Sequence, residues 1–167
     1  TIFVASANFA IWTYLAVAGS DKLPPSLGDL TRLFFLNLSG CPILQELPES
    51  ICDLACLHHL DTLDCPALEK LPDKFGNLPK LSFLNLKSCS KLTKLPDNIS
   101  FPFLEHLNLS SCHELEELAI DFGHVPKLEF MDLSGCYKVS ILPGSFCQLN
   151  HLMYLDLSDY HNLKECP

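Results

Sequence analysis

Hydrophobic residues recur along this chain with a long, regular period. In each unit two leucines alternate with a polar residue, as in Leu36-Asn37-Leu38, and a small residue, usually cysteine, follows three positions later. The first hydrophobic residue of this segment returns at steps of 24, 24, 23, 24 and 24, at Leu36, Leu60, Leu84, Leu107, Met131 and Leu155. A fixed period of this length indicates an array of stacked repeats, each of them one supersecondary unit.

The pattern within a unit predicts two kinds of structure. Alternation with a period of two predicts a short strand that buries both leucines and exposes the residues between them. The rest of the unit spaces apolar residues three apart and adds a Leu-Pro pair, as at Leu47-Pro48, which predicts short 3₁₀ or helical turns. No single unit covers its own apolar edge, so the units must stack. We therefore predict an α/β repeat solenoid, a right-handed arc with a parallel sheet on its concave side and turns on its convex side.

The consensus sequence of the units resembles that of a known family. They read Leu-x-x-Leu-x-Leu-x-x-Cys-x-x-Leu-x-x-Leu-Pro, which resembles leucine-rich repeats. The combination of Leu-Pro-x-Ser-Ile/Phe with Leu-Asn/Asp-Leu-Ser-Gly-Cys is similar to plant intracellular nucleotide-binding leucine-rich-repeat disease-resistance proteins. The resemblance covers residues 23–167. It implies a right-handed leucine-rich-repeat horseshoe arc.

The same resemblance implies a function. The chain would be a non-enzymatic protein-recognition module that senses a pathogen effector or a host protein, or that holds the parent protein's own switch domain inactive. The nucleotide-binding domain would lie in a part of the parent protein outside this chain. No cofactor is therefore expected here.

The N-terminal segment, positions 1–22, allows two interpretations. Trp12 and Tyr14 fall one repeat length before Leu36 and Leu38, which favours a degenerate partial repeat. Alternatively, the uncharged run over residues 1–19 is a signal or membrane segment, although no Lys or Arg precedes it.

We expect the repeats proper, about six units over residues 23–167, to be truncated at the C-terminus. The repeat interpretation places the chain in the cytoplasm, and the targeting interpretation makes it secreted or membrane-bound.

Charge and cysteine content limit the partners and the compartment. With 11 Lys and Arg against 20 Asp and Glu, the net charge of -9 excludes a general nucleic-acid or anionic-membrane binder and favours a partner with a basic surface. Five of the nine cysteines occupy one position per unit: Cys41, Cys65, Cys89, Cys112 and Cys136. An odd total with this placement argues against a disulfide framework and favours a reducing compartment. We expect these thiols to be buried and to reach neighbouring carbonyl groups.

Catalytic signatures are missing from the sequence. No phosphate-binding loop, dinucleotide fingerprint, nucleophile elbow or zinc-protease motif occurs, so we predict that the chain is not an enzyme. His58 and His59 with Asp61 form the densest titratable cluster. Ideal strand alternation puts the two histidines on opposite faces, so we interpret this cluster as surface chemistry.

The exposed side of the predicted sheet carries the candidate site. One column of aromatic and imidazole rings runs beside a column of Asn and Asp, with acidic residues at the flanks. The candidate protein-binding residues are Phe35, Asn37, His59, Asp61, Phe83, Asn85, Lys87, Glu105, His106, Asn108, Glu129, Phe130, Asp132, Tyr154 and Asp156. Exposed aromatic anchors with an acidic rim suit a protein interface. The alternative interpretation is that the rings reflect strand propensity and that the Asn/Asp column is part of the repeat consensus without a role in binding. Because these side chains point away from the leucine core, replacing Phe130 is expected to weaken binding without altering folding.

Two other functions keep the fold and change the context. One is a secreted or membrane-tethered leucine-rich-repeat ectodomain that binds a peptide or glycan, and the other is a substrate-recruiting adaptor of a ubiquitin ligase. The glycosylation sequons at Asn37, Asn98 and Asn108 bear on the first of these, because glycans there would favour the ectodomain.

Overall fold

A computed structural model describes residues 11–14, 20–97 and 99–160, with residues 11–14 described by their backbone alone. Seven strands lie in these ranges: β1 (Ile11–Tyr14), β2 (Leu33–Asn37), β3 (His59–Asp61), β4 (Phe83–Asn85), β5 (His106–Asn108), β6 (Phe130–Asp132) and β7 (Tyr154–Asp156). Five 3₁₀ helices accompany them: Pro25–Asp29, Glu49–Asp53, Phe75–Asn77, Phe122–His124 and Gly144–Gln148. Each 3₁₀ helix lies in the part of its unit where apolar residues are spaced three apart, as the sequence predicts.

The strands form one parallel sheet in chain order, β1 to β7. From β2 onward the pairing follows the repeat, so that Phe35 lies opposite His59 and His59 opposite Phe83. Equal repeat lengths put equivalent residues side by side, because each unit returns the chain to the sheet at the same register. The predicted α/β repeat solenoid, with a parallel sheet and short 3₁₀ turns, is confirmed.

The leucine columns form a continuous core between the sheet and the turns. In the unit around β2, Leu33, Leu36 and Leu38 are fully buried. Phenylalanines fill the turn side, where Phe75 and Phe101 meet edge to face with ring centroids 5.8 Å apart. The last described unit is less covered, since Phe146 is only half-buried against this core. Stability therefore depends on contacts between neighbouring units.

The cysteine column, Cys41, Cys65, Cys89, Cys112 and Cys136, lies buried at the bend after the strands. Four of its five Sγ atoms donate to a backbone carbonyl of the preceding unit: Cys65 to Leu38 (3.2 Å), Cys89 to Thr62 (3.3 Å), Cys112 to Leu86 (3.2 Å) and Cys136 to Leu109 (3.1 Å). Burial raises the pKa of Cys89 to about 11 and that of Cys65 to about 12. The prediction of buried thiols that reach neighbouring carbonyls is confirmed.

A left-handed turn position precedes each cysteine of the column. The backbone φ is 70° at Gly40 and 73° at Gly135, and the equivalent Asp64 and Ser88 take φ values of 56° and 62°. This conformation suits glycine, and Asp is among the residues that tolerate it best. This turn directs the chain from the sheet into the core. The cysteine directly after it therefore lies against the preceding unit.

The N-terminal strand departs from the sequence alignment. A spacing of one full repeat predicts Trp12 opposite Leu36, whereas the structure pairs Trp12 with Phe35 and Thr13 with Leu36. The alignment is therefore wrong by one residue at Trp12 and Thr13, and the register changes once more between Ile11 and Trp12, since Ile11 pairs with Leu33. Most of residues 1–19 lie outside the described ranges, so the division at residue 22 stays a prediction. No helix among the described residues has the length and hydropathy to cross a membrane.

Candidate functional site

Six rings form one continuous stack on the exposed side of the sheet. We call this stack the ring ladder: Phe35, His59, Phe83, His106, Phe130 and Tyr154. Successive ring centroids lie 4.1, 3.9, 4.3, 4.1 and 4.5 Å apart, and the ring planes differ by 2° to 18°. Parallel strands lie about 4.8 Å apart, so side chains at equivalent positions meet face to face. The ladder is a direct result of the repeat register.

Stacking determines which part of each ring meets solvent. The faces of His59, Phe83, His106 and Phe130 are covered by neighbours on both sides, and these four side chains are half-buried. Their edges are therefore what a partner can touch. Ring edges carry the positive part of the aromatic quadrupole and favour contact with oxygen atoms. The ladder thus presents a continuous row of ring edges to solvent, and not isolated aromatic side chains.

The two ladder histidines are held in their uncharged form near neutral pH. Burial between phenylalanine rings lowers the pKa of His59 and of His106 below 6.5. Asp61 raises the pKa of His59 and Asp132 raises that of His106, but burial is the larger effect. At pH 7 the ladder is consequently a neutral surface between charged columns.

The Asn and Asp column forms hydrogen bonds within the fold. In every unit the side-chain Oδ1 accepts the backbone N–H two residues later, as from Ser39 to Asn37 (2.8 Å) and from Ser110 to Asn108 (2.9 Å). The other four acceptors are Asp61, Asn85, Asp132 and Asp156. These side chains shape the turn after the strand, which is a typical use of Asn and Asp. Their part in partner binding stays a prediction.

Charged residues flank the ladder on both sides. Glu105 and Glu129 are exposed at the start of β5 and β6, and Lys87 is exposed beyond the end of β4. The candidate residues are therefore all brought to one face of the sheet. Lys80 lies beside Glu105 at the edge of this face. The acids of these columns are Asp61, Asp64, Glu105, Glu129, Asp132, Asp156 and Asp159.

A second cluster next to the ladder was missed from the sequence. Phe34 stacks on His58 with centroids 4.1 Å apart. Further along the same edge, Lys127 places its Nζ 4.5 Å from the centroid of the Phe103 ring. A groove of about 400 Å³ lies here, lined by His58, Lys80, Ser82, Phe103 and Glu105. The equal spacing of Phe34, His58 and Ser82, one repeat length at each step, is the signal that would have revealed this column.

The expectation that His58 and His59 lie on opposite faces is wrong. Leu57 and Leu60 are both fully buried, so the strand accommodates two residues between core positions where strict alternation allows one. Both histidines are half-buried, and each stacks on a phenylalanine of the preceding unit. Within the described ranges no cluster of three His, Cys, Asp or Glu side chains is arranged to hold a metal ion.

Comparisons with known proteins agree with this geometry. The Leucine Rich Repeat family model matches residues 32–54 and 127–149. No curated protein matches the chain significantly.

Two solved structures have similar folds. One is the leucine-rich repeat domain of the type III effector XopL, with 26% identity and a TM-score of 0.58, covering 84% of this chain and 58% of that one. The other is the ectodomain of the plant membrane receptor kinase GASSHO1/SCHENGEN3 from Arabidopsis thaliana, with 22% identity and a TM-score of 0.51, covering 82% and 17%. This chain thus spans less than two thirds of either protein. From residue 20 onward, the described residues have the leucine-rich-repeat solenoid fold.

Proposed function

We propose that this domain is a protein-recognition module that binds its partner across the ring ladder and the acidic residues beside it. The observation that carries the proposal is the ladder itself, six rings in one ridge on a single face. Repeat solenoids offer such extended surfaces for binding. The solved GASSHO1/SCHENGEN3 ectodomain, which has a similar fold, is in complex with CASPARIAN STRIP INTEGRITY FACTOR 2.

The charge of the face defines the partner. The seven acids outnumber Lys80, Lys87 and Lys127 on this face and at its edge, so the face is net negative. A basic protein surface would be attracted over the distance of a Debye length, about 8 to 10 Å. This attraction would orient the partner so that its basic surface faces the ladder. Backbone carbonyls and other oxygens of that partner would then meet the electropositive ring edges.

The wider biological setting belongs to the same proposal. The repeat wording supports an origin in a plant intracellular disease-resistance receptor, in which this domain would sense an effector or host protein and restrain a switch domain. Unpaired cysteines are consistent with a cytoplasmic location. Cys65, Cys89, Cys112 and Cys136 are free thiols and are buried.

Site-specific cross-linking tests where the partner binds. A photo-reactive amino acid would replace Lys87, beside the ladder, or Lys74, on the turn side, and both lysines are exposed. We expect a discrete protein to be cross-linked from position 87 in cells and not from position 74. Equal cross-linking of that same protein from both positions would reject the ladder as its binding surface.

The partner found in this way allows a quantitative test. Glu105→Gln combined with Glu129→Gln should slow association several-fold and reduce its salt dependence, because both charges border the ladder. Glu116→Gln with Glu117→Gln removes the same charge from exposed positions outside the sheet and is the matched control. If both double variants behave alike, the face is not what attracts the partner.

A further inference from the structure

Basic residues are concentrated in one part of this acidic chain. Residues 70–94 contain six lysines, Lys70, Lys74, Lys80, Lys87, Lys91 and Lys94, and a single acid, Asp73. This segment carries a charge of +5 within a chain of -9, so the remainder carries -14. All six lysines are exposed. Such segregation produces a local positive field that the overall charge conceals.

Three of these lysines meet on the turn side of the solenoid. Lys70, Lys91 and Lys94 line an open groove of about 850 Å³ together with Ser90, Thr93 and His113. Lys70 and Lys94 occupy equivalent positions, one unit apart, and also line an adjoining groove of about 390 Å³ together with Asp73 and Asp97. The two grooves therefore share two lysines at their common border. We call the larger one the lysine groove.

Basic and acidic residues alternate at equivalent positions of successive units on the turn side, and this alternation breaks at the lysine groove. Glu46 binds Lys22 at 2.9 Å and Lys70 at 3.4 Å, and bridges pair the backbones of these units. The next equivalent residue is Lys94, where an acid would continue the alternation. Among the described residues no backbone bridge joins Lys70 to Lys94, and two like charges at adjacent equivalent positions repel each other. The backbone of Lys94 pairs with that of Glu117, but within the described residues the Lys94 side chain forms no ion pair.

The acids that border the groove are already neutralised. Glu69 accepts from Lys91 at 3.3 Å, and Glu114 accepts from Lys138. Lys70 shares one carboxylate with Lys22. The lysine groove thus keeps an excess of positive charge at Lys70 and Lys94, the site of the interruption.

We propose that the lysine groove is a second docking surface, which binds an acidic segment of a partner protein. An extended segment places carboxylates of alternate residues about 7 Å apart on one side, so two or three can address these lysines. A short acidic segment suits the site better than nucleic acid, because the charge of -14 on the rest of the chain repels a long polyanion. This surface is separate from the ring ladder.

A labelled acidic peptide tests the proposal. The fluorescent decapeptide (Glu-Ser)₅ would be titrated with the full chain, and its anisotropy measured at low and at high salt. We expect saturable binding that weakens with salt. Lys70→Gln with Lys94→Gln should weaken it roughly tenfold, the combined effect of two exposed charge contacts.

Control variants make the outcome decisive. Lys74→Gln with Lys127→Gln removes the same charge elsewhere and should change affinity less than about twofold. Melting curves would verify that both double variants stay folded. Absence of saturable peptide binding, equal weakening by both double variants, or tighter binding of an oligouridine of the same length would each overturn the proposal. Phe130→Ala should leave peptide binding unchanged, so this result is independent of the ring ladder's function.

Discussion

The imidazole ring of His106 lies on the ring of Phe130, with centroids 4.1 Å apart and planes within 4° of each other. Phe130 contacts Tyr154 in the same way on its other side, at 4.5 Å. A ring in the ladder is therefore both a surface and a support for its two neighbours. This double role changes the expectation from sequence that replacing Phe130 leaves folding unaltered.

We predict that Phe130→Ala lowers the free energy of unfolding by about 1 to 3 kcal/mol, because it removes two stacked contacts. Urea denaturation followed by circular dichroism measures this. Ile141→Ala is the control, since that side chain is 63% exposed and its loss should cost about 0.5 kcal/mol or less. An unfolding midpoint for Phe130→Ala equal to that of the control would show that the stack does not stabilise the fold.

A second prediction concerns pH. His59 and His106 have a lowered pKa in the folded state, so the unfolded state binds more protons at mildly acidic pH. Their contribution to stability is complete above pH 6.5 and is lost as pH falls through the folded pKa values. The melting temperature should therefore decrease between pH 7.5 and pH 5.

The double variant His59→Phe with His106→Phe isolates this effect. Phenylalanine keeps the stack and removes the titrating groups, so the melting temperature should depend less on pH than in the unaltered chain. The same pH dependence in both proteins would assign the effect to the carboxylates instead.

Thiol reactivity provides a third prediction. Cys147 is exposed, whereas Cys89 and Cys112 are buried and burial raises the pKa of both thiols. Alkylation of the native chain near pH 7.5, followed in time by mass spectrometry, should label Cys147 before Cys89 and Cys112, because the thiolate is the reactive form. Labelling in denaturant should remove the difference. Early native labelling of Cys89 would mean that the cysteine column is not in the core.

The sequons provide a fourth prediction. The side-chain Oδ1 atoms of Asn37 and Asn108 accept turn hydrogen bonds, and Ser110 of the second sequon is 2% exposed. We expect neither asparagine to carry a glycan when the chain is expressed through a secretory pathway. Mass spectrometry before and after glycosidase treatment would check this.

An engineered sequon provides the positive control for the glycan experiment. Lys91→Asn creates a sequon with Leu92 and Thr93 on an exposed turn, and this site should be occupied. Occupancy at Asn37 would instead support the ectodomain alternative.

The sheet was predictable because one rule applies to every unit. A repeat of constant length brings Phe83 opposite His106 without any long-range information, and the spacing of Leu36 and Leu38 identifies the buried side. The same rule failed at Trp12, which pairs with Phe35 where a full repeat length predicts Leu36. A pattern of residue types does not reveal such shifts, since they depend on backbone geometry.

The site was predictable only in part. Sequence spacing identified the ring column, but the face-to-face contact of His106 and Phe130 depends on side-chain rotamers, which the spacing does not determine. The broken charge order at Lys70 and Lys94 required knowing which turns are neighbours. Contacts of this kind follow from the folded arrangement of several units together.

The ring ladder also affects how such a chain can change in evolution. Each unit contributes one ring, and a ring contacts only the units before and after it. Duplicating one whole repeat by unequal recombination would therefore add one step to the ladder and keep every existing contact in register. An insertion of a single residue within a strand would instead turn a leucine toward solvent and a ring toward the core. Binding surfaces of this type can lengthen by whole units, with selection acting on the edge of a single ring at a time.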